Sequence, residues 1–137
     1  MIVRFVDTSI LLYTISRDPA ELDKAKRAND ILADRDLALS VQVLQEFYVQ
    51  ATRASRPDAI GHSQAVRLIE SFRRFPVQDV TGGIMMAALD ARQRFQLSYW
   101  DAAIIEAARV MGCAQVLSED LHDGQDYAGV QVTNPFR

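Results

Sequence analysis

The stretch Ile2-Val3-Arg4-Phe5-Val6-Asp7-Thr8-Ser9-Ile10-Leu11-Leu12-Tyr13 decides the reading of the fold. Ile2 to Val6 is an apolar run rich in β-branched residues, as expected of a strand buried on both faces. Asp7-Thr8-Ser9 then supplies capping side chains, and Ser9 to Ile15 continues as a short helix. The same alternation repeats down the chain. Asp18-Pro19-Ala20-Glu21 opens a second helix, with Asp18 as N-cap, Pro19 in the first helical position and Glu21 closing a capping box. That helix reaches about Ala33, and Leu37 to Ser40 follows as a second strand. Val43, Leu44, Phe47, Tyr48 and Ala51 recur at helical spacing. Pro57-Asp58 is expected to cap a helix running to about Phe72, and Phe75 to Val80 reads as a third strand. Gly82-Gly83 opens a helix to about Phe95, and Tyr99 to Met111 forms another that Gly112 ends. Gln115-Val116-Leu117 and Val130-Gln131-Val132 are the last strands. Short apolar strands alternating with helices predict an α/β fold with a mainly parallel sheet.

The composition agrees with a single folded unit over residues 1–137. The chain has 137 residues, 49% hydrophobic and 24% charged. A chain of this length buries roughly 70% of its unfolded surface, so neither disulfides nor a structural metal is needed for folding. Plentiful apolar residues and a net charge of only −3 exclude intrinsic disorder. The same balance argues against a general nucleic-acid coat protein, which carries a basic excess. The start of the chain shows no charged leader followed by an apolar segment, and no apolar run approaches the roughly 20 residues of a membrane span. Cys113 is the only cysteine, so no intramolecular disulfide forms and a reducing cytoplasm is expected. With no histidine beside it, Cys113 reads as a small buried residue.

The placement of the acids says more than their number. Asp7 ends the first strand and Asp120 lies just past the strand at Val116-Leu117. In open α/β sheets ligands collect outside the carboxyl ends of strands, so these two acids are expected to face one crevice. Each also has a structural reading, Asp7 as a helix cap and Asp120 as a turn residue. Asp101 projects onto the flank of the apolar side formed by Ala103, Ile104, Ala107, Ala108 and Met111, where a carboxylate needs a partner. Ser98-Tyr99-Trp100-Asp101 also fits a capping box. Glu106 and Arg109 share the opposite side of that helix and are spaced to pair. Glu46 lies roughly 130° from the centre of its helix's apolar stripe, the position of a solvated side chain.

Taken together, these four positions and their surroundings resemble the PIN-domain family, specifically the VapC-type ribonuclease toxins of bacterial toxin–antitoxin modules. Phe5-Val6-Asp7-Thr8-Ser9-Ile10-Leu11-Leu12-Tyr13 is similar to the family's first motif, and Ser40-Val41-Gln42-Val43-Leu44-Gln45-Glu46-Phe47-Tyr48 to its second. Ser98-Tyr99-Trp100-Asp101-Ala102-Ala103-Ile104 resembles the third and Leu117-Ser118-Glu119-Asp120-Leu121 the fourth, with Asn134-Pro135-Phe136 a familiar close. The resemblance covers nearly the whole chain. It implies a three-layer α/β/α sandwich around a mainly parallel sheet of about five strands. It also implies that Asp7, Glu46, Asp101 and Asp120 are the catalytic acids and metal ligands. Asp123 is a nearby substitute in the variable fourth motif. Ser118 matches a hydroxyl position beside the site, and Thr8 or Ser9 is expected to support the first acid.

Converging carboxylates repel one another, and a divalent cation removes the conflict. All-oxygen ligands favour Mg²⁺, with Mn²⁺ as the alternative. His62 and His122 are isolated, so zinc is not expected. The resemblance implies metal-assisted RNA cleavage leaving a 5′-phosphate and a 3′-hydroxyl, with tRNA or rRNA as typical targets. It also implies a cognate antitoxin, a homodimer, a cytoplasmic location and no membrane. Arg17, Arg53, Arg56, Arg73 and Arg74 are the basic residues considered for phosphate contacts, the first three foremost. Two other readings share the motifs: a PIN-type nuclease of housekeeping RNA maturation, and a catalytically inert PIN scaffold for protein binding. A haloacid-dehalogenase-like phosphatase fits poorly, because Asp7-Thr8-Ser9 lacks the second Asp two residues on. A receiver domain fits worse still, because no acceptor Asp ends the third strand.

Overall fold

The computed structural model describes residues 2–137. Strand β1 (Arg4–Val6) leads into α1 (Thr8–Tyr13), a 3₁₀ turn over Pro19–Glu21 and α2 (Leu22–Leu32). Strand β2 (Leu37–Ser40) is followed by α3 (Val41–Ala51) and α4 (His62–Phe72), and then by β3 (Val77–Gln78). Helices α5 (Gly82–Phe95) and α6 (Tyr99–Val110) precede β4 (Gln115–Leu117), β5 (Asp126–Tyr127) and β6 (Val130–Thr133).

The strands form one sheet in the order β3-β2-β1-β4-β6-β5. Every neighbouring pair is parallel except β5 with β6. From β1 the chain builds outward through β2 to β3, then returns to place β4 on the other side of β1. The gap beyond the carboxyl ends of β1 and β4 is therefore the topological switch point, where open parallel sheets hold ligands. Layers of helix enclose the sheet in a three-layer α/β/α sandwich. Helix α6 packs on β2, β4 and β6 beneath α5, while α1 packs against α2 and α3. The core runs through Phe5, Val6, Leu39, Phe47, Ile105, Val116 and Val132, all fully buried. Phe47 meets Phe72 edge-on, which fastens α3 to α4.

Several local expectations need correction. Among the described residues the sheet has six strands, where about five were expected, because Asp126–Tyr127 adds a short edge strand antiparallel to β6 around a turn in which Ala128 and Gly129 both take positive φ. Two residues are too few to show any period. Glu21 does not close a capping box: Asp18 accepts from the Ala20 N–H, and Glu21 Oε1 accepts from Ser16 Oγ at 2.5 Å, leaving a 3₁₀ turn ahead of α2. Pro57-Asp58 does not cap α4, which starts at His62 behind Gly61. The Asp58 carboxylate is occupied elsewhere, accepting from the Arg17 N–H and lying 2.6 Å from Arg56 Nε. Glu106 and Arg109 do pair on α6, at 3.0 Å, but in a largely buried setting. Glu106 is only 7% exposed and is neutralised by Arg109, which reaches on to the carbonyls of Tyr127 and Ala128.

Candidate active site

The first acid comes directly from the sheet. Asp7 follows β1, and its N–H donates to Leu117 O at 3.0 Å, continuing the β1–β4 pairing by one residue. Its side chain is buried, with Oδ1 accepting from the Thr8 N–H and Oδ2 from the Ser118 hydroxyl, both at 2.7 Å. Ser118 follows β4 and is itself fully buried. Its Oγ also accepts from the N–H groups of Asp120 and Leu121. One hydroxyl thus spans the switch point and ties Asp7 to the loop that carries Asp120.

The other two acids arrive on helices. Ser40, the last residue of β2, caps α3 through the Val43 N–H, which sets the helix that bears Glu46. Glu46 is half-buried rather than solvated. Its Oε2 accepts from Thr8 Oγ1 at 2.7 Å and its Oε1 from Gln42 Nε2 at 3.0 Å. Ser98 caps α6 by accepting from the Asp101 N–H, placing Asp101 in the first turn. The hydroxyls beside Asp7 divide their work: Thr8 holds Glu46, while Ser9 Oγ accepts from the Glu119 N–H.

The electrostatics link these acids. Burial pushes the Asp7 carboxyl up to about 6, with the charges of Asp120 and Glu46 adding to the rise against the Ser118 and Thr8 hydrogen bonds. Asp101 is raised by burial and by Glu46. Asp120 is raised by burial and then by Glu119, Asp101 and Glu46. Asp7, Asp101 and Asp120 each therefore feel the charge of at least one other acid of the set. Among the described residues, however, no three His, Cys, Asp or Glu side chains converge tightly enough to hold a metal ion as they stand. Asp7 and Glu46 each take up neighbouring hydroxyl or amide donors.

Asp123 does not share this neighbourhood. Its Oδ1 accepts from the Asn134 N–H and its Oδ2 faces Arg137, so it braces the C-terminal segment. Arg56 lines a cavity of about 200 Å³ with Ser9, Gln50 and Asp120, and joins Arg17 in an adjoining groove of about 510 Å³. Arg56 Nε is ion-paired with Asp58 Oδ1 at 2.6 Å. Arg53 lines a separate groove that also contains Glu46. Arg73 borders none of these spaces. Arg74 is structural, donating to Leu32 O and Ser71 while stacking on Phe75. His62 pairs with Tyr48, and Cys113 is buried as expected.

Two features near the acids are not visible in motif spacing. Gln42 steadies Glu46 from one turn away on α3, a contact that a general i,i+4 rule allows but the motifs do not single out. Glu119, beside Asp120, accepts from Tyr13 Oη and pairs with Lys24 Nζ at 2.7 Å. Lys24 also lies over the Tyr13 and Phe136 rings, drawing α1, α2 and the C-terminal segment onto the Asp120 loop. Tyr13 and Glu119 are 106 positions apart, so no local signal connects them.

An acidic crevice at the switch point of a parallel sheet defines a class of α/β proteins whose ligand site is built from carboxylates carried past strand ends and on the flanking helices. Within that class, the chain belongs to the PIN-domain family, whose model matches residues 4–123. The chain is similar to the crystal structure of Mycobacterium tuberculosis VapC20, a sarcin-ricin loop cleaving toxin. Identity is 23% and the TM-score 0.66, covering 85% of this chain and 91% of the other. A toxin–antitoxin complex from Klebsiella pneumoniae is similar at 21% identity, with a TM-score of 0.69 and coverage of 96% and 97%. DNA-bound VapBC from Salmonella typhimurium is similar at 18% identity, with a TM-score of 0.66 and coverage of 98% and 99%. At these identities the likeness establishes the fold. Among curated proteins none matches the chain.

Proposed function

We propose that this protein is a metal-dependent endoribonuclease serving as the toxin of a toxin–antitoxin pair. The observation that carries the reading is the electrostatic coupling of Asp7, Glu46, Asp101 and Asp120 around the switch point, with Asp7 held near 6. Four neighbouring carboxylates, with no cationic side chain bonded to any of them among the described residues, favour a hard divalent cation, Mg²⁺ with Mn²⁺ as alternative. The donor set fits such an ion chemically, and Asp7, Glu46, Asp101 and Asp120 would hold it. A bound divalent ion supplies Lewis-acid stabilisation of phosphodiester charge and activation of water.

The chain's own groups orient the reaction. Ser118 fixes Asp7 and the Asp120 loop together, so two ligands move as one body. Thr8 and Gln42 fix Glu46. Arg56, in the cavity that Asp120 borders, is positioned for a neighbouring phosphate, and Arg17 extends the same track. RNA is the substrate in this reading. The similarity of the fold to toxin–antitoxin complexes supports a cognate antitoxin as partner. The apolar surface of α5, where Met86 and Leu89 are exposed, suits a homodimer or antitoxin contact.

Induced expression tests the reading. Wild type should arrest growth and, when purified, cleave RNA in Mg²⁺ but not in EDTA. Asp7→Asn and Asp101→Asn should relieve the arrest while remaining folded by circular dichroism. Folded variants that stay equally toxic would sink the proposal.

A further inference from the structure

We propose that the indole of Trp100 is a stacking platform for one RNA base beside the acidic crevice, with Arg53 contacting the adjoining phosphate. This rests on the ribonuclease reading and deepens it by assigning a single-stranded nucleotide subsite. Trp100 is 64% exposed, although it is the immediate neighbour of Asp101 on α6. An exposed indole offers a broad, rigid apolar face with a polar edge. Its backbone is fixed, because its carbonyl accepts from Gln42 Nε2 at 3.1 Å, the same amide that holds Glu46. Its ring meets Tyr99 edge-on at 5.0 Å, which sets the ring's orientation.

The space beside it suits a nucleotide. A groove of about 450 Å³ runs between Trp100 and Arg53, lined also by Gln42, Gln45, Glu46, Val49 and Gln50. That volume lies in the range of small-ligand clefts. Gln50 also lines the cavity bordered by Asp120 and Ser9, so the groove leads on towards the acids. Three amides and a guanidinium on this side of Trp100 offer donors and acceptors to a base edge and a phosphate, while its other side borders a smaller cleft with the apolar Val80, Met85 and Tyr99. Unstacked bases on aromatic rings are the usual mode of single-strand RNA recognition. In a protein with net charge −3, stacking supplies affinity that basicity does not.

Trp100 is the only tryptophan, so its emission reports this site alone. An unstructured RNA hexamer titrated into wild-type protein in EDTA should quench that emission saturably. Anisotropy of labelled hexamer should show W100A binding about 5- to 150-fold more weakly, the range of one stacked base, and W100F keeping most of the affinity. Arg53→Ala should flatten the dependence of log K on log salt by about 0.7, one phosphate contact. Circular dichroism serves as the folding control. Unaltered emission with W100A binding like wild type, in a protein that still cleaves RNA in Mg²⁺, overturns the subsite and leaves the nuclease reading intact. Emission that follows protein concentration but ignores RNA also overturns it, and assigns the patch to a protein contact. A wild type that neither binds nor cleaves RNA brings down both.

Discussion

Replacing Asp7 by Asn should make the metal-free protein more stable, at the expense of its activity. Asp7 is 6% exposed, and its carboxyl rises from an ordinary 3.8 to about 6 chiefly through burial. At about 1.4 kcal/mol for each tenfold change in proton affinity, holding it ionised at neutral pH costs the fold about 3 kcal/mol. Between pH 3.8 and about 6 the native state binds more protons than the unfolded chain, so this contribution to stability falls as pH rises through that window. Asparagine removes the charge and keeps an acceptor for the Thr8 N–H. It sets an N–H₂ against Ser118 Oγ, which already accepts from Asp120 and Leu121, at a cost of about 1 kcal/mol. The expected net gain at pH 7.5 in EDTA is about 1–2 kcal/mol, read from urea midpoints at constant slope. The gain should shrink as pH falls to 4.5, because wild type then protonates. Mg²⁺ at 100 times its dissociation constant should add about 2.7 kcal/mol to wild type but little to the variant, reversing their order. Asp7→Asn less stable than wild type by the same amount at every pH would refute the reasoning.

Three other outcomes follow from the contacts. Ser118→Ala removes the donor to Asp7 and the acceptor for two loop N–H groups, so it should cost about 2–3 kcal/mol of stability in urea unfolding. It should also raise the Asp7 carboxyl further, steepening the loss of stability between pH 5 and 7.5, because that bond is among the effects that lower it. Arg109→Ala strands the buried Glu106 carboxylate and two carbonyls. Since the Arg109 side chain is 33% exposed, the expected loss is about 2–4 kcal/mol, partly recovered by adding Glu106→Gln. RNA binding measured in EDTA should weaken as salt rises, and Arg56→Ala should reduce that slope by about 0.7, whereas Arg74→Ala should leave it unchanged.

Much of the fold was legible because its signals are local. The apolar run ending in Asp7, the cap at Ser98 and the Gly112 stop each lie within a few residues of what they govern. The same holds for β4, whose expected and observed bounds coincide. Local signals failed where an alternative partner lay elsewhere in the chain. Asp58 looked like a cap but met Arg17 and Arg56, and Glu21 looked like half of a capping box but met Ser16.

The site divides along the same line. Residue type, order and resemblance singled out the four acids and Ser118 from the chain alone: Asp7, Asp101, Ser118 and Asp120 sit at or just past strand or helix ends, and Glu46, in mid-helix, stood out only through the resemblance. Only tertiary structure decided how they meet. The helical wheel of α3 turns Glu46 away from its own apolar stripe, and packing of α1 against α3 turns that direction into a contact with Thr8, 38 positions away. Strand order sets β4 beside β1 and so brings Ser118 to Asp7 across 111 positions. It is the same packing that turns Asp123 to Asn134 and leaves Asp120 beside the other acids. Periodicity and capping energies act over a turn or two of chain. Which carboxylates share a crevice depends on how the buried faces of distant elements fit together, and that is a property of the whole core.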